Sequence, residues 1–151
     1  MNKMSENNLS WGKVVDKESL GQISLPKQMI DEFLKTSEPG FNNILIVFTP
    51  RQNILKIDVF PVETRDIIKV QLILTQFSGN TVKQIGQIIK ILDIPKNLFT
   101  SGVCIKSNLC VYEAYIEERK LKVSLQELKE KFSEVENVVE VIISKLENEA
   151  N

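Results

Sequence analysis

The sequence predicts an α+β protein made of two small domains that follow one another along the chain. Residues 10–60 carry short apolar stretches separated by Gly and Pro, which is typical of a small β-rich domain with one helix. Residues 66–147 switch between a two-residue and a helical apolar period, in the order strand, helix, strand, strand, helix, strand. Residues 61–65, which begin with Pro, form the predicted linker.

Gly21 and Pro26 set the predicted path of the first domain. A strand over residues 11–15 leads to Gly21, which can adopt positive φ and turn the chain into a second strand over residues 23–25. Pro26 suits the first position of a helix, because its missing N–H has no intrahelical partner there. The helix that follows has apolar residues at helical spacing: Met29, Ile30, Phe33 and Leu34.

A hairpin completes the first domain. Apolar strands are predicted over residues 44–48 and 54–60, with residues 49–53 as the connection between them. A domain of about 50 residues buries little core by itself, so we expect the chain to gain stability by oligomerising.

The second domain starts with a strand in which Ile68, Val70, Leu72 and Leu74 alternate with other residues, so that one face packs on a core. Residues 78–80 turn into a helix with an apolar stripe: Val82, Ile85, Ile88, Ile89 and Leu92. A hairpin joins residues 103–106 to residues 109–116.

The second helix of this domain begins with a capping box, in which Ser124 is the N-cap and Glu127 the third helical residue. Its predicted buried face comprises Leu125, Leu128, Phe132 and Val135. A β-branched strand over residues 138–146 ends the domain. With both helices on one side of an antiparallel sheet, this order is the ferredoxin-like plan.

The composition argues against an enzyme. The 151-residue chain has no His, which removes the commonest general base and the commonest metal ligand. No catalytic constellation is evident, and we expect no cofactor and no metal. Cys104 and Cys110 lie across the predicted hairpin, where small buried apolar residues are the favoured interpretation and a redox or metal role is the alternative.

Charge and hydropathy favour a soluble cytoplasmic protein. The formal net charge is −1, and residues 1–65 hold 8 basic and 8 acidic residues, so no domain is strongly basic. No apolar run approaches the roughly 20 residues that a membrane span needs. Residues 1–9 are polar, lack the apolar core of a signal peptide and are predicted to form a flexible arm.

Residues 66–147 resemble an ACT domain, a regulatory module that binds amino acids or similar small metabolites. Residues 76–80 occupy the first strand-to-helix turn, where the family commonly has an Asp and, three residues later, a Gly. Gly79 matches that Gly, and the neutral Gln76 replaces the Asp. Residues 132–141 resemble the second helix and last strand of the family. The resemblance implies a ligand site formed by Gln76, Ser78, Gly79 and Asn80.

Residues 11–60 resemble the SpoVT/AbrB swapped-hairpin family, whose members dimerise by interleaving strands and bind DNA. The resemblance rests on Asp16, on residues 20–26 (LGQISLP) and on the helix that follows. Gln22 replaces the usual Arg after the Gly, and Asp31 stands where helix arginines are common. The implied DNA-contacting residues are Lys13, Lys17, Gln22, Lys27 and Arg51, because cations neutralise phosphates and Gln can hydrogen-bond adenine.

The two resemblances together predict a metabolite-responsive, DNA-binding transcription regulator that acts as a dimer or a higher oligomer. Two alternatives remain at this point. The first is a non-DNA-binding assembly module, in which the N-terminal fold keeps its dimer-forming use and lacks the cations. The second is a regulatory subunit of a separate enzyme.

Overall fold

The computed structural model describes residues 7–22, 25–36, 40–95 and 99–147. It is an α+β protein with two antiparallel sheets, of three and four strands. The chain divides into two compact units, one formed by residues 10–66 with 146–147 and the other by residues 7–9 with 67–145. Among the described helices, none combines the length and the apolar character that crossing a membrane requires.

The three-stranded unit consists of β1 (Trp11–Asp16), β2 (Asn43–Arg51) and β3 (Ile54–Val62), with β2 in the middle. A 3₁₀ helix, Lys17–Gln22, follows β1, and α1 spans Lys27–Thr36. Its core joins Val15, Ile44 and Ile46 to partly buried apolar residues: Phe33, Phe48 and Val59.

The predicted corner at Gly21 is wrong. Gly21 lies inside the 3₁₀ helix, and among the described glycines only Gly40 has positive φ. Of the predicted second strand, residues 23 and 24 lie outside the described residues, and Leu25 belongs to no strand. Residues 17–22 instead form a 3₁₀ helix. Asp16, the residue just before this helix, accepts hydrogen bonds from the backbone N and the Oγ of Ser19.

The hairpin of this unit is longer than predicted. Thr49, Pro50 and Arg51 continue β2, so the turn shrinks to Gln52 and Asn53. Asn53, the second residue of this turn, adopts the left-handed conformation with φ 61°, which Asn reaches more readily than most residues. The predicted linker is also shorter, because Pro61 and Val62 pair with Ile44 and Asn43 as the end of β3.

The four-stranded unit contains β4 (Ile67–Leu74), α2 (Gly79–Ile91), β5 (Phe99–Lys106), β6 (Leu109–Glu117), α3 (Leu125–Ser133) and β7 (Val138–Lys145). Its strand order is β5-β6-β4-β7, and all three pairings are antiparallel. A second 3₁₀ helix, Glu118–Lys120, follows β6.

One apolar core lies between this sheet and its two helices. The even-numbered residues of β4 pack there with residues of both helices, among them Ile85, Leu128 and Phe132. The predicted capping box is confirmed at its N-cap, where Ser124 Oγ accepts from Glu127 N at 3.1 Å. The predicted stripe of α2 is wrong at Val82, which is 59% exposed in the first turn of the helix.

β4 departs from the expectation of one core face, since all eight of its residues are buried. The odd-numbered positions carry Lys69, 5% exposed, and Gln71, 3% exposed. A central strand with neighbours on both sides can bury polar side chains only if they find partners. Those partners come from β6 and from the N-terminal segment.

Candidate functional site

The predicted ligand turn connects β4 to α2. Ser78 is the N-cap of α2, and its Oγ accepts a hydrogen bond from Thr81 N at 3.0 Å. Gln76, Gly79 and Asn80 are exposed. Gly79 is the first residue of α2, and its φ is not positive; a Cβ added there would meet nothing within 4 Å. The backbone of this turn therefore does not need a glycine, and the space beside Gly79 is open.

A carboxylate of the protein itself lies at this turn. Asn80 Nδ2 donates to Glu136 Oε2 at 2.9 Å, and Ser78 Oγ donates to the same oxygen at 3.4 Å. The structure thus brings together Ser78 and Asn80, two of the predicted site residues, on one carboxylate oxygen. Sequence reasoning missed Glu136, because it is 56 residues away from Asn80 and stands in an unremarkable acidic stretch.

The connection between α3 and β7 is anchored to α2 by further hydrogen bonds. Glu136 N donates to Gln84 Oε1 at 2.7 Å, and Asn137 Nδ2 donates to Thr81 Oγ1 at 2.9 Å. Asn137, the residue just before β7, adopts the left-handed conformation with φ 70°. The backbone of Glu136 is therefore fixed, and its carboxylate accepts hydrogen bonds from Ser78 and Asn80.

Phe77 ties the predicted ligand turn to edge strand β5. The half-buried Phe77 packs against the core, and a Cβ on Gly102 would lie 3.2 Å from its ring. Gly102 is thus the glycine that a close approach requires in this unit. Nothing in the local sequence around Gly102 identifies Phe77 as its neighbour.

A buried polar cluster lies on the odd-numbered face of β4. Lys69 Nζ is 3.0 Å from Glu113 Oε2, and the two side chains are 6% and 0% exposed. Gln71 Nε2 donates to the same Glu113 oxygen at 2.8 Å. Gln71 stands directly opposite Glu113 in the ladder between β4 and β6, and Lys69 is diagonal to it. The register of β4 and β6 is thus the signal that could have identified this cluster, because it brings an amine, an amide and a carboxylate together.

The N-terminal segment completes this cluster. Asn8 Oδ1 accepts from Lys69 Nζ and from Gln71 Nε2, both at 2.9 Å, and Leu9 N donates to Glu113 Oε2 at 3.1 Å. The described end of the predicted flexible arm therefore differs from expectation. Asn8 and Leu9 are held because two buried charges need hydrogen bonds beyond the ion pair itself.

Burial lowers the pKa of Lys69 below its ordinary value of 10.5, and the nearby Glu113 carboxylate opposes that change. A buried amine with a lowered pKa is a known feature of functional sites, but ion-pair networks produce it too. Here Lys69, Gln71 and Glu113 are all buried, and each is bonded to another member of the cluster. The arrangement anchors residues 8 and 9 and offers no exposed acid or base.

Three of the predicted DNA-contacting residues are close in sequence and belong to two successive helical segments of the three-stranded unit. Lys17 and Gln22 are the first and last residues of the 3₁₀ helix, and Lys27 is the first residue of α1. All three are exposed. Lys13 lies further back, in β1, where it is half-buried.

Arg51 does not join that group. Lys17 N donates to Asn42 O at 3.1 Å, which places the 3₁₀ helix beside the start of β2, whereas Arg51 ends β2. The two ends of β2 are eight residue-to-residue steps apart, roughly 27 Å at about 3.4 Å per step. Arg51 therefore lies at the opposite end of β2 from the 3₁₀ helix, and its contact with DNA stays a prediction.

Acidic residues stand among these cations. Hydrogen bonds from the side chain and backbone of Ser19 hold the pKa of Asp16 below its usual range, so Asp16 stays ionised beside Lys17. On α1, Asp31 and Glu32 are exposed, and Glu32 lies 3.9 Å from Lys35. These carboxylates consequently weaken the attraction that Lys17 and Lys27 exert on a polyanion such as DNA.

Cys104 and Cys110 are joined by a disulfide between directly paired residues of β5 and β6. The interpretation as two small buried apolar residues is wrong for Cys104, which is exposed, while Cys110 is 1% exposed. Within the residues that the structure describes, no cluster of three metal-ligating side chains exists.

Neither a protein-family model, nor a curated protein, nor a solved structure matches this chain.

Proposed function

We propose that this chain is a metabolite-responsive, DNA-binding transcription regulator that acts as a dimer or a higher oligomer. The observation that carries the proposal is the grouping of Lys17, Gln22 and Lys27, all exposed, on two successive helical segments of the three-stranded unit. Two lysines can neutralise phosphates, and Gln22 can contact a base or a phosphate. A dimer presents this group twice, which doubles its cations.

The resemblance of residues 11–60 to swapped-hairpin DNA-binding proteins and of residues 66–147 to ACT domains supports the same proposal. In the second unit, strand order β5-β6-β4-β7 with α2 and α3 packed on the sheet is compatible with an ACT-like plan. The ligand would bind at residues 76–80 and bias the geometry of the oligomer.

The ligand of this proposal is a small carboxylate such as an amino acid. Ser78 Oγ and Asn80 Nδ2 already hold one carboxylate oxygen, that of Glu136, so their donor chemistry fits such a group. A ligand carboxylate would have to displace Glu136 from these two donors. Gln76 is neutral, which favours a polar uncharged group at the other end of the ligand.

The DNA half is tested by fluorescence anisotropy of a labelled duplex, titrated with the full chain at several salt concentrations. We expect binding that weakens steeply with salt, and a shallower salt dependence for the variant Lys17→Ala/Lys27→Ala, because phosphate contacts release counterions. The matched control Lys83→Ala/Lys129→Ala removes two exposed lysines from the other unit. Absence of binding at low ionic strength would exclude the DNA-binding proposal.

The sensor half is tested by calorimetric titration with the common amino acids. Glu136→Ala frees the two donors and should tighten carboxylate binding, whereas Asn80→Ala should weaken it. Glu134→Ala, an exposed neighbour, is the control. If no amino acid binds the wild-type chain or Glu136→Ala, the turn is structural and the sensor proposal fails.

A non-DNA-binding assembly module is the second candidate, and the charge balance favours it. Along the described residues of the 3₁₀ helix and α1 the charged residues cancel: Lys17, Lys27 and Lys35 against Glu18, Asp31 and Glu32. In that case the three-stranded unit serves association alone. The anisotropy experiment separates the two candidates, and co-purification of an enzyme would instead favour a regulatory subunit.

A further inference from the structure

β3 is an edge strand of the three-stranded sheet. It is the last of the three strands in its sheet, and in the described part of the chain no strand pairs with its other side. Its nine residues run in continuous register with β2, without a bulge. An open edge invites pairing with another chain. β3 has no bulge, and its one proline, Pro61, lies near its end.

The first half of β3 also exposes large apolar side chains on both faces of the sheet. Ile54, Leu55 and Ile57 are 66%, 58% and 49% exposed. Side chains alternate along a strand, so Leu55 and Ile57 lie on one face and Ile54 on the other. The second half, with Val59 and Phe60, is only partly exposed.

We propose that β3 pairs antiparallel with β3 of a second copy of this chain, about a two-fold axis at Ile57. In this register residue 54 faces residue 60 of the second copy, residue 55 faces 59, residue 56 faces 58, and Ile57 faces itself. The three exposed apolar residues then meet Phe60, Val59 and Ile57 of the other copy. The two sheets join into one sheet of six strands.

Charge complementarity selects this partner and this register. Lys56 and Asp58 lie on the same face of β3, where Lys56 Nζ is 3.3 Å from Asp58 Oδ2. The two-fold places each Lys56 directly opposite Asp58 of the other copy, and opposite charges at facing positions stabilise a strand pair. The same sequence thus supplies both halves of two cross-chain ion pairs, as an interface with two-fold symmetry requires.

The proposed paired segment ends at a turn on one side and at a proline on the other. Residue 54 follows the turn at Gln52 and Asn53, and residue 60 precedes Pro61, which has no N–H to donate. A ladder over residues 54–60 therefore uses the whole stretch of β3 between the turn and Pro61. A shift by one residue would place Lys56 opposite an apolar residue and leave both ion pairs unformed.

This inference rests on the dimer of the proposed function and gives that dimer an interface. It requires neither DNA nor a ligand, so it is tested by association alone. The substitutions Lys56→Asp and Asp58→Lys each put like charges opposite each other at two places. Mixing the two variants restores both opposite-charge pairs in a heterodimer, because one chain then carries two carboxylates at positions 56 and 58 and the other chain carries two amines there.

The experiment is sedimentation velocity of the full chain over a range of micromolar concentrations, with circular dichroism to verify folding. We expect the wild-type chain to dimerise and each single variant to have a dissociation constant at least tenfold higher. An equimolar mixture of the two variants, and the double variant Lys56→Asp/Asp58→Lys, should dimerise like the wild type. Lys35→Asp, which changes an exposed lysine of α1, is the matched control and should dimerise normally.

Three outcomes would overturn the inference. If each single variant dimerises like the wild type, the dimer uses another surface, and the dimeric state of the proposed function stands without this interface. If the single variants stay monomeric when mixed, the charge-paired register is wrong. If the wild-type chain is a monomer throughout, both the interface and the dimer of the proposed function fail.

Discussion

β3 and β4 begin with nearly the same succession of side-chain types, yet one strand is exposed where the other is buried. β3 starts Ile-Leu-Lys-Ile-Asp-Val at residue 54, and β4 starts Ile-Ile-Lys-Val-Gln-Leu at residue 67. Lys69 in β4 is 5% exposed, whereas the side chain of its counterpart Lys56 in β3 is 56% exposed. Position in the sheet, rather than the apolar pattern, decides the environment of each residue.

Lys69 and Lys56 show how the position of a strand in its sheet changes the partners that a charged side chain needs. Lys69 is surrounded by β6 and the N-terminal segment, so its charge needs Glu113, with Asn8 and Gln71 completing the network. Lys56 keeps contact with solvent and has Asp58 nearby in its own strand. A buried ion pair depends on each of its members, while an exposed pair contributes little to stability.

The largest effect is expected at Glu113. Glu113→Ala leaves the charge of Lys69 buried without its carboxylate and should lower the free energy of unfolding by about 3–5 kcal/mol. Glu32→Ala, which removes an exposed carboxylate near Lys35, should change it by less than about 0.5 kcal/mol. Urea unfolding measures both. Equal small effects would mean that the polar cluster is not a stabilising anchor.

Ile68 and Leu55 occupy equivalent positions in the two strands and should respond differently. Ile68 is 0% exposed in the core, so Ile68→Ala should cost about 2–5 kcal/mol through the cavity it leaves. Leu55 is 58% exposed, so Leu55→Ala should cost less than about 0.5 kcal/mol at protein concentrations too low for dimerisation. A similar loss in both, measured by urea unfolding, would contradict the exposure of the β3 edge.

The free energy of unfolding should depend on pH through Lys69. Because its pKa is lowered in the folded state, the folded protein releases this proton at a lower pH than the unfolded chain. The destabilising contribution is fully present at pH values below the folded pKa, and stability rises with pH from there to about 10.5.

The reference for that measurement is Lys69→Met/Glu113→Gln, which has no ionisable group in the cluster. The stability of the wild type relative to this reference should increase with pH, by at most about 1.4 kcal/mol per pH unit for one proton. Unfolding curves at several alkaline pH values give the slope. A flat difference would show that Lys69 titrates alike in both states.

The smallest expected effect lies at the start of α3. Ser124→Ala removes the acceptor for Glu127 N and should cost about 1 kcal/mol. The control is Ser133→Ala in the last turn, where Ser133 Oγ donates to the Lys129 carbonyl and caps no free N–H. Its expected effect is within about 0.5 kcal/mol. A reversed order of the two thermal shifts would contradict the role of Ser124 as the cap.

Much of the second unit could be predicted from local sequence. The cap at Ser124 and the buried face of α3 depend on residues within four positions of one another, which is the range over which a helix fixes its geometry. The hairpin turn at residues 107–108 is equally local. The candidate turn at residues 76–80 was found from sequence for the same reason.

The partner of that turn could not be predicted. Glu136 reaches Ser78 and Asn80 across 58 and 56 residues of chain, and α2, β5, β6 and α3 lie in that stretch. Its own neighbours in sequence do not distinguish it from Glu134. The same holds for Gly102 beside Phe77, because only the packing of β5 against the turn brings them into contact.

By itself the sequence determined the α+β class, the order of strands and helices in the second unit, and the lack of His-based chemistry, since these follow from residue types and their spacing. Only the tertiary structure decided which strand is central and which is an edge. That choice buried Lys69, Gln71 and Glu113 together and left Ile54, Leu55 and Ile57 exposed. The reason is physical: period and capping are properties of nearby backbone, whereas burial is a property of distant segments that share one surface.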